Sequence, residues 1–321
     1  VRAELTIADY DRILRDSLLT IQLLHLLAEA TTVEEILNVI PSLPPPKGTF
    51  AVRSDGPDRQ ELQERVGGAI KEATGATVNL TKPETMYILH DDATRLVLGI
   101  RVGGELGKRH YKIITGPFSL SGPVAASVLE ASGWDGVSDL VTWPCATGEL
   151  AIEAVFRAYG KSPRAYERKD LEETIPVTCR IIAADPRLPL LSSAQKNAKI
   201  AGVEKRINFS RQDLDWLDTK HHERNVSTLV GILPNLRHEP KFVSELYYQL
   251  DFILRTNARA CFVCVNDESA DLLEKGMTAA ERTYRSERTY VWSGQHPYTI
   301  VTLFAGNKRA AAKKTLEGST S

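Results

Sequence analysis

The sequence predicts an α/β protein: a doubly wound, mostly parallel sheet in the C-terminal part, preceded by a smaller α+β domain. Two observations carry this. From about residue 135, apolar strands at 138–143, 177–183, 226–233 and 258–265 alternate with helical stretches near 148–158, 187–201, 240–255 and 267–276. That rhythm is the signature of βαβ units. Ahead of it, strand and helix patterns follow a proline-rich break at 41–48, and a chain of 321 residues favours about two domains.

The elements follow in order. Residues 8–29 are predicted as a helix, because Ile13, Leu14, Leu18, Ile21, Leu24 and Leu27 recur at helical spacing. His25 then reads as a packed histidine on its apolar face. "TVEE" (Thr32 to Glu35) is a capping box and should start a second helix. The prolines of 41–48 make a stiff linker. "TFAVRS" reads as a strand, and the helix after it should end near Gly75 with a left-handed cap. "TMYILH" and "RLVLGIRV" flank a polar "DDAT", which predicts a hairpin. "RINFS" adds a short strand. The late strands "ERTYVWSG" and "YTIVTLF" have no helix between them, so an antiparallel edge is expected. Residues 306–321 are small, polar and basic, and read as a disordered tail. The expected domains are 1–47, 48–115 and 116–305.

Composition narrows the function classes. The net charge of −1 gives no global pull toward nucleic acid, so any RNA contact must be local. Four cysteines make no disulfide framework, and a reducing cytoplasm is the expected location. Cys261 and Cys264 have zinc-like spacing but fall on a predicted strand, where residues three apart face opposite sides. "HHER" (His221, His222) is isolated, and no metal is expected. No apolar run approaches the ~20 residues of a membrane span. The chain starts at Val1, and the N-terminal piece is expected to be truncated.

Ligands of doubly wound sheets bind beyond the carboxyl ends of the strands, where strand order reverses. The first such turn, "WPCATGE", offers Cys145, Ala146 and Gly148 to a nucleotide-like cofactor, though with a single glycine. A plain strand-to-helix turn is the alternative. Asp185 ends the second strand, where acids hold a ribose; a routine Asp-Pro turn and helix start is the alternative. Asp213 follows the third and could accept from an adenine amine, a solvated loop acid being the alternative. The fourth strand ends in "ILPNLRH", leaving Pro234 and Asn235 as candidate catalytic residues, with Arg237 and His238 nearby; a plain loop is the alternative. Arg101, Lys108, Arg109 and Lys112 form one basic patch, with His110 and Tyr111 among them. Lys161, Arg164, Arg168 and Lys169 form another around Tyr166. Mixed basic and aromatic loops suit an RNA backbone and unstacked bases, with ordinary solvated charge as the alternative for each patch.

The order of these segments resembles the THUMP-containing, S-adenosylmethionine-dependent tRNA methyltransferases, above all the archaeal kind that methylate the exocyclic amine of a tRNA guanine. The resemblance covers about 8–305. "LRDSLLTIQLLHLLAEATTVEEIL" is similar to part of the ferredoxin-like N-terminal domain. "GTFAVRSDG" through "LVLGIRV" is similar to THUMP, and "GPFSLSGPVAASVL" to the connector carrying Pro117, Leu120, Pro123 and Ala125. The resemblance implies a Rossmann-like methyltransferase domain, S-adenosylmethionine as cofactor and tRNA or another structured RNA as partner.

The family's cofactor turn, Asp-Pro-hydrophobic-Cys-Gly-Ser-Gly-Thr, falls on Thr142 to Glu149. The cysteine and one glycine are kept, while the leading acid and a glycine are lost. Ala183 stands at the ribose acid's place, two residues before Asp185. The catalytic Asn/Asp-Pro-Pro-aromatic motif falls on Ile232 to Asn235, without its acceptor or stacking ring. Two expectations of different class follow: an RNA methyltransferase, or an RNA-binding pseudo-enzyme or non-catalytic partner subunit. A third is transfer through a rearranged pocket with a different acceptor.

Overall fold

The computed structural model describes residues 3–55, 58–91, 94–163, 178–293 and 296–308. Residues 8–29 do not form one helix. α1 (Ile7–Asp16) ends at Ser17 in extended backbone, and β1 (Leu23–Ala30) follows. The apolar run Leu23–Leu27 suits a helix face or a strand equally, and pairing decides. β1 hydrogen-bonds antiparallel to β4 (Leu96–Val102), with a bulge between Leu26 and Ala28. His25 is consequently exposed on β1 rather than packed.

The described residues of Thr20–Gly107 form one unit. Thr32 caps α2 (Val33–Val39) by accepting from the Glu35 N–H, and the Glu35 carboxylate reaches back to the Thr31 N–H. β2 (Phe50–Ser54) leads to α3 (Arg59–Thr74), which ends on Gly75 at φ +69° as the sequence predicts. β3 (Thr85–Asp91) and β4 pair antiparallel, β2 and β3 parallel, giving the order β1-β4-β3-β2. Ile36, Phe50, Val66, Ile70, Leu89 and Leu98 form the core. The strand β1 and α2, expected in a separate N-terminal piece, are therefore part of this unit, because β1 completes its sheet.

The described residues of Val1–Leu19 and Lys108–Ser321 form the second unit. Its strands are β5 (Leu140–Thr142), β6 (Ile181–Asp185), β7 (Ile207–Arg211), β8 (Val226–Ile232), β9 (Leu254–Cys264), β10 (Arg282–Ser293) and β11 (His296–Lys308). The order is β10-β11-β9-β8-β5-β6-β7. β5 to β9 run parallel, and β11 runs antiparallel to both neighbours. Strand order reverses at β5, between β6 and β8. Helices α4 (Gly122–Ala131), α5 (Glu149–Tyr159) and α6 (Leu188–Ile200) cover one face. α7 (Leu217–Lys220), α8 (Pro240–Ile253) and α9 (Asp267–Gly276) cover the other. Strand residues alternate between the two cores: Cys261 and Val263 face the first, Phe262 and Cys264 the second. The two cysteines thus lie on opposite faces, as strand geometry requires. β11 runs on to Lys308, opposite Arg282, so 306–308 belong to the sheet and not to the expected tail. Residues 309–321 lie outside the described residues.

Candidate functional site

The turn after β5 sits at the reversal of strand order, at the carboxyl edge of the parallel strands, where ligands of such sheets bind. Its backbone is held on both sides. The Trp143 N–H donates to the Val230 carbonyl, and the Cys145 N–H donates to the Ala184 carbonyl. Gly231 is needed here, since a Cβ on it would collide with the Trp143 carbonyl. The Trp143 indole N–H reaches the Gln212 carbonyl at 3.0 Å, tying the turn to the end of β7. Ala146 adopts φ +48° and Gly148 φ +92°. A side chain at Gly148 would meet Ala194 of α6 at 2.8 Å.

Every residue from 140 to 156 is buried. The Trp143, Cys145, Ala146 and Gly148 N–H groups of the turn each have a partner within the protein. Asp185 is fully buried: its carboxylate accepts from the Ala146 N–H at 3.0 Å, the Arg187 N–H at 2.9 Å and the Arg187 guanidinium at 3.0 and 3.2 Å. That guanidinium lies 5.1 Å from the centre of the Phe118 ring. Thr147 bonds the Ser119 hydroxyl, and its carbonyl accepts from Asn197, which also binds both backbone groups of Ile114. The segment from Ile114 to Ser119 is thereby fastened over the turn.

The first residue of α5, Glu149, is a buried carboxylate that accepts from the Thr147 hydroxyl at 2.8 and 2.9 Å. It faces Lys112 at 3.8 Å. Burial raises its pKa above the ordinary carboxylate range, and the Thr147 bond works the other way. A helix N-terminus favours an anion; here the protein's own side chain takes that place. Burial, reinforced by the Asp185 charge, also pushes the Cys145 thiol well up.

Of the five residues expected to hold a cofactor, Cys145, Ala146, Gly148 and Asp185 come together in this closed turn. Asp213, after β7, keeps a partly exposed carboxylate 3.6 Å from Arg211. In the candidate catalytic loop Leu233 is buried, while Pro234 and Asn235 are partly exposed. The Asn235 amide oxygen accepts from the Arg237 N–H at 3.2 Å, closing a local turn.

The basic patch needs correction. Arg109 is buried, not presented to solvent. Its guanidinium donates to Glu153 at 2.7 and 3.1 Å and to the Leu18 carbonyl at 2.7 Å. The Tyr111 hydroxyl shares Glu153 at 2.6 Å. The cause is Glu153 itself, an acid in the apolar run of α5 that requires a buried cation. Lys112 turns inward to the Leu120 carbonyl at 2.6 Å. Arg101 lies mostly covered beside Glu105. Lys108 is exposed. In the second patch Lys161 pairs with Asp16 at 3.5 Å, and Arg164, Tyr166, Arg168 and Lys169 lie outside the described residues. Among the described residues no group of three His, Cys, Asp or Glu could hold a metal, and no helix is long and apolar enough to cross a membrane.

Residues 109–296, more than half of the chain, match the family model for an RMKL-like methyltransferase domain, UPF0020. The chain belongs to this family. RMKL-like domains are S-adenosylmethionine-dependent methyltransferases. Among curated relatives, the ribosomal RNA large subunit methyltransferase K/L of Vibrio parahaemolyticus is 25% identical over 255 residues, 71% of this chain and 36% of that protein. The Vibrio campbellii protein of the same name is 26% identical over 252 residues, 70% and 35%. The chain thus spans about a third of the length of these relatives. TrmN from Thermus thermophilus shares the fold at TM-score 0.68 and 20% identity, over 90% of this chain and 84% of that one. SMU.472, solved in complex with SAH, does so at 0.62 and 15%, over 89% and 84%.

In the arrangement described, two of the groups expected to hold the family's methyl donor, the Asp185 carboxylate and the Ala146 N–H, are bonded to each other, and Arg187 caps the carboxylate. A ribose-binding acid must offer free lone pairs, and Asp185 has four donors on it. The turn must expose N–H groups, and that of Ala146 is bonded to Asp185. Sequence reasoning missed Arg187, Glu149 and Glu153. Their signals were present: an arginine directly after Asp-Pro, and two acids four apart inside the otherwise apolar "ELAIEAVF".

Proposed function

We propose that this chain is an RNA-binding member of the RMKL-like family that holds structured RNA without transferring a methyl group. tRNA is the first expected ligand and ribosomal RNA the second. The observation that carries the reading is the closure of the donor turn by Arg187 on Asp185. Opening it would strip a buried carboxylate of charge-assisted hydrogen bonds, each worth ~1.5–3 kcal/mol. Every 1.4 kcal/mol lost is about tenfold in affinity. A donor that displaces Arg187 must compete with these bonds. On the RNA side, the names of the curated relatives, the exposed Lys108 and the THUMP-like order of the small unit support the reading.

One observation favours a second reading, methyl transfer through a rearranged pocket: Asp213 keeps an accessible carboxylate at the edge of the sheet. Calorimetric titration with S-adenosylmethionine separates the two. No heat at millimolar donor, together with binding of a tRNA transcript, is the expected result. Micromolar donor affinity would replace the first reading by the second. Asn235→Ala should then abolish methylation of tRNA. Under both readings Lys108→Ala should weaken RNA binding and lower its salt dependence.

A further inference from the structure

We infer that Tyr290 and Trp292 form a stacking platform for unpaired bases of the bound RNA. The inference rests on the RNA-binding reading above. Both rings are exposed, at 54% and 64% of their surface. They stand two residues apart on β10, the edge strand of the sheet, and therefore share one face. Large aromatic side chains are ordinarily among the better-buried residues; two in succession on an open edge call for an occupant.

Their place in the fold selects it. β11 runs antiparallel to the parallel strands, so its first residues lie at the carboxyl edge of the sheet. Tyr290 pairs with Thr299 and Trp292 with Pro297, which puts both rings at that edge. The Thr299 hydroxyl donates to Asp267 at the start of α9, at 2.7 Å. Two residues on, Ser269 accepts from the Leu236 N–H, in the loop that carries Asn235. The platform and the candidate base loop are therefore linked through one helix terminus. The loop itself has no Phe, Tyr or Trp between Leu233 and Glu239, so the edge strand supplies the flat apolar surface that the loop lacks.

The charges nearby are paired. Arg288 binds Asp271 and Glu274, and Arg237 stands 3.7 Å from Glu268. A surface of this kind attracts through ring faces rather than through phosphate neutralisation. Stacking a base on an aromatic side chain is sequence-tolerant, so the ligand class is a single-stranded end or loop of a structured RNA.

The test is fluorescence anisotropy of a labelled tRNA transcript at several salt concentrations, with wild type, Trp292→Ala, Trp292→Phe and Lys108→Ala. Trp292→Ala should weaken binding roughly 5- to 150-fold with an unchanged salt slope. Trp292→Phe should retain most of the affinity, and Lys108→Ala should lower the slope. Wild-type binding that Trp292→Ala leaves untouched overturns the platform alone. Failure of wild type to bind either tRNA or a ribosomal RNA fragment overturns the RNA reading and the platform together. Sedimentation that shows self-association lost in Trp292→Ala, with RNA affinity intact, would assign the face to a second copy of the chain instead.

Discussion

Glu153→Ala is the sharpest test of how the interior of the larger unit is built. The side chains of Glu153 and Arg109 are 0% and 3% exposed. The carboxylate takes two bonds from the guanidinium and one from Tyr111. Removing it leaves a buried cation without its counter-charge and a buried phenol without its acceptor. Breaking a buried ion pair from one side costs ~3–5 kcal/mol, a large share of the ~5–15 kcal/mol that holds a typical domain. At the ~2–4 °C per kcal/mol usual for units of 150–250 residues, Tm should fall by roughly 6–20 °C. Arg109→Met should cost a similar amount. The double variant Arg109→Met/Glu153→Leu should cost far less than the sum, because no charge is then left stranded. Urea unfolding followed by far-UV circular dichroism measures all three. A Glu153→Ala protein within 1 kcal/mol of wild type, or an Arg109→Met protein of wild-type stability with weakened RNA binding, would refute the buried pair.

Three further outcomes are expected. Gly148→Val should destabilise by ~1–3 kcal/mol through overpacking, since its side chain meets Ala194 and its φ of +92° disfavours any side chain; a neutral result in urea would show that α6 can shift. Glu149 has a raised pKa through burial, so the folded state keeps its proton to higher pH than the unfolded chain does, and stability falls as pH rises from the ordinary carboxylate range through the raised value. Glu149→Gln should remove that loss, its advantage over wild type growing with pH across the window; a pH-independent difference would sink the assignment. His221 is buried against Gln212, and burial lowers its pKa below the ordinary 6.5. Its stabilisation is present above that value and disappears as pH falls through the depressed one, so His221→Gln should flatten the acid arm of the stability curve measured from pH 8 to 4.

Much of the fold was legible because its signals are local. The alternation after residue 135, the Thr32 cap and the Gly75 terminus each follow from a few adjacent residues, and the structure places all three. Residues 23–30 were misread for the complementary reason. An uninterrupted leucine run fits either period, and the partner that decides, β4, is some seventy residues away. The convergence of the candidate turn was legible, and the bonding state of its groups was not. Cys145, Ala146, Gly148 and Asp185 do converge. That the Asp185 carboxylate is capped depends on Arg187, and that Thr147 is bonded depends on Ser119 and Asn197, groups that arrive from two other segments. Arg109 looked like surface charge because a basic residue in a loop carries no sign of the acid it meets 44 positions later.

The sequence by itself determined the order of elements, the two-faced parallel sheet and the place of the turn after β5, since periodicity and turn chemistry act over a few residues. The tertiary structure alone decided which charges are buried, which aromatic rings stand open at the sheet edge and which groups of the turn after β5 are bonded. Those are outcomes of long-range pairing, in which a group's solvation is fixed by neighbours that the chain order does not reveal.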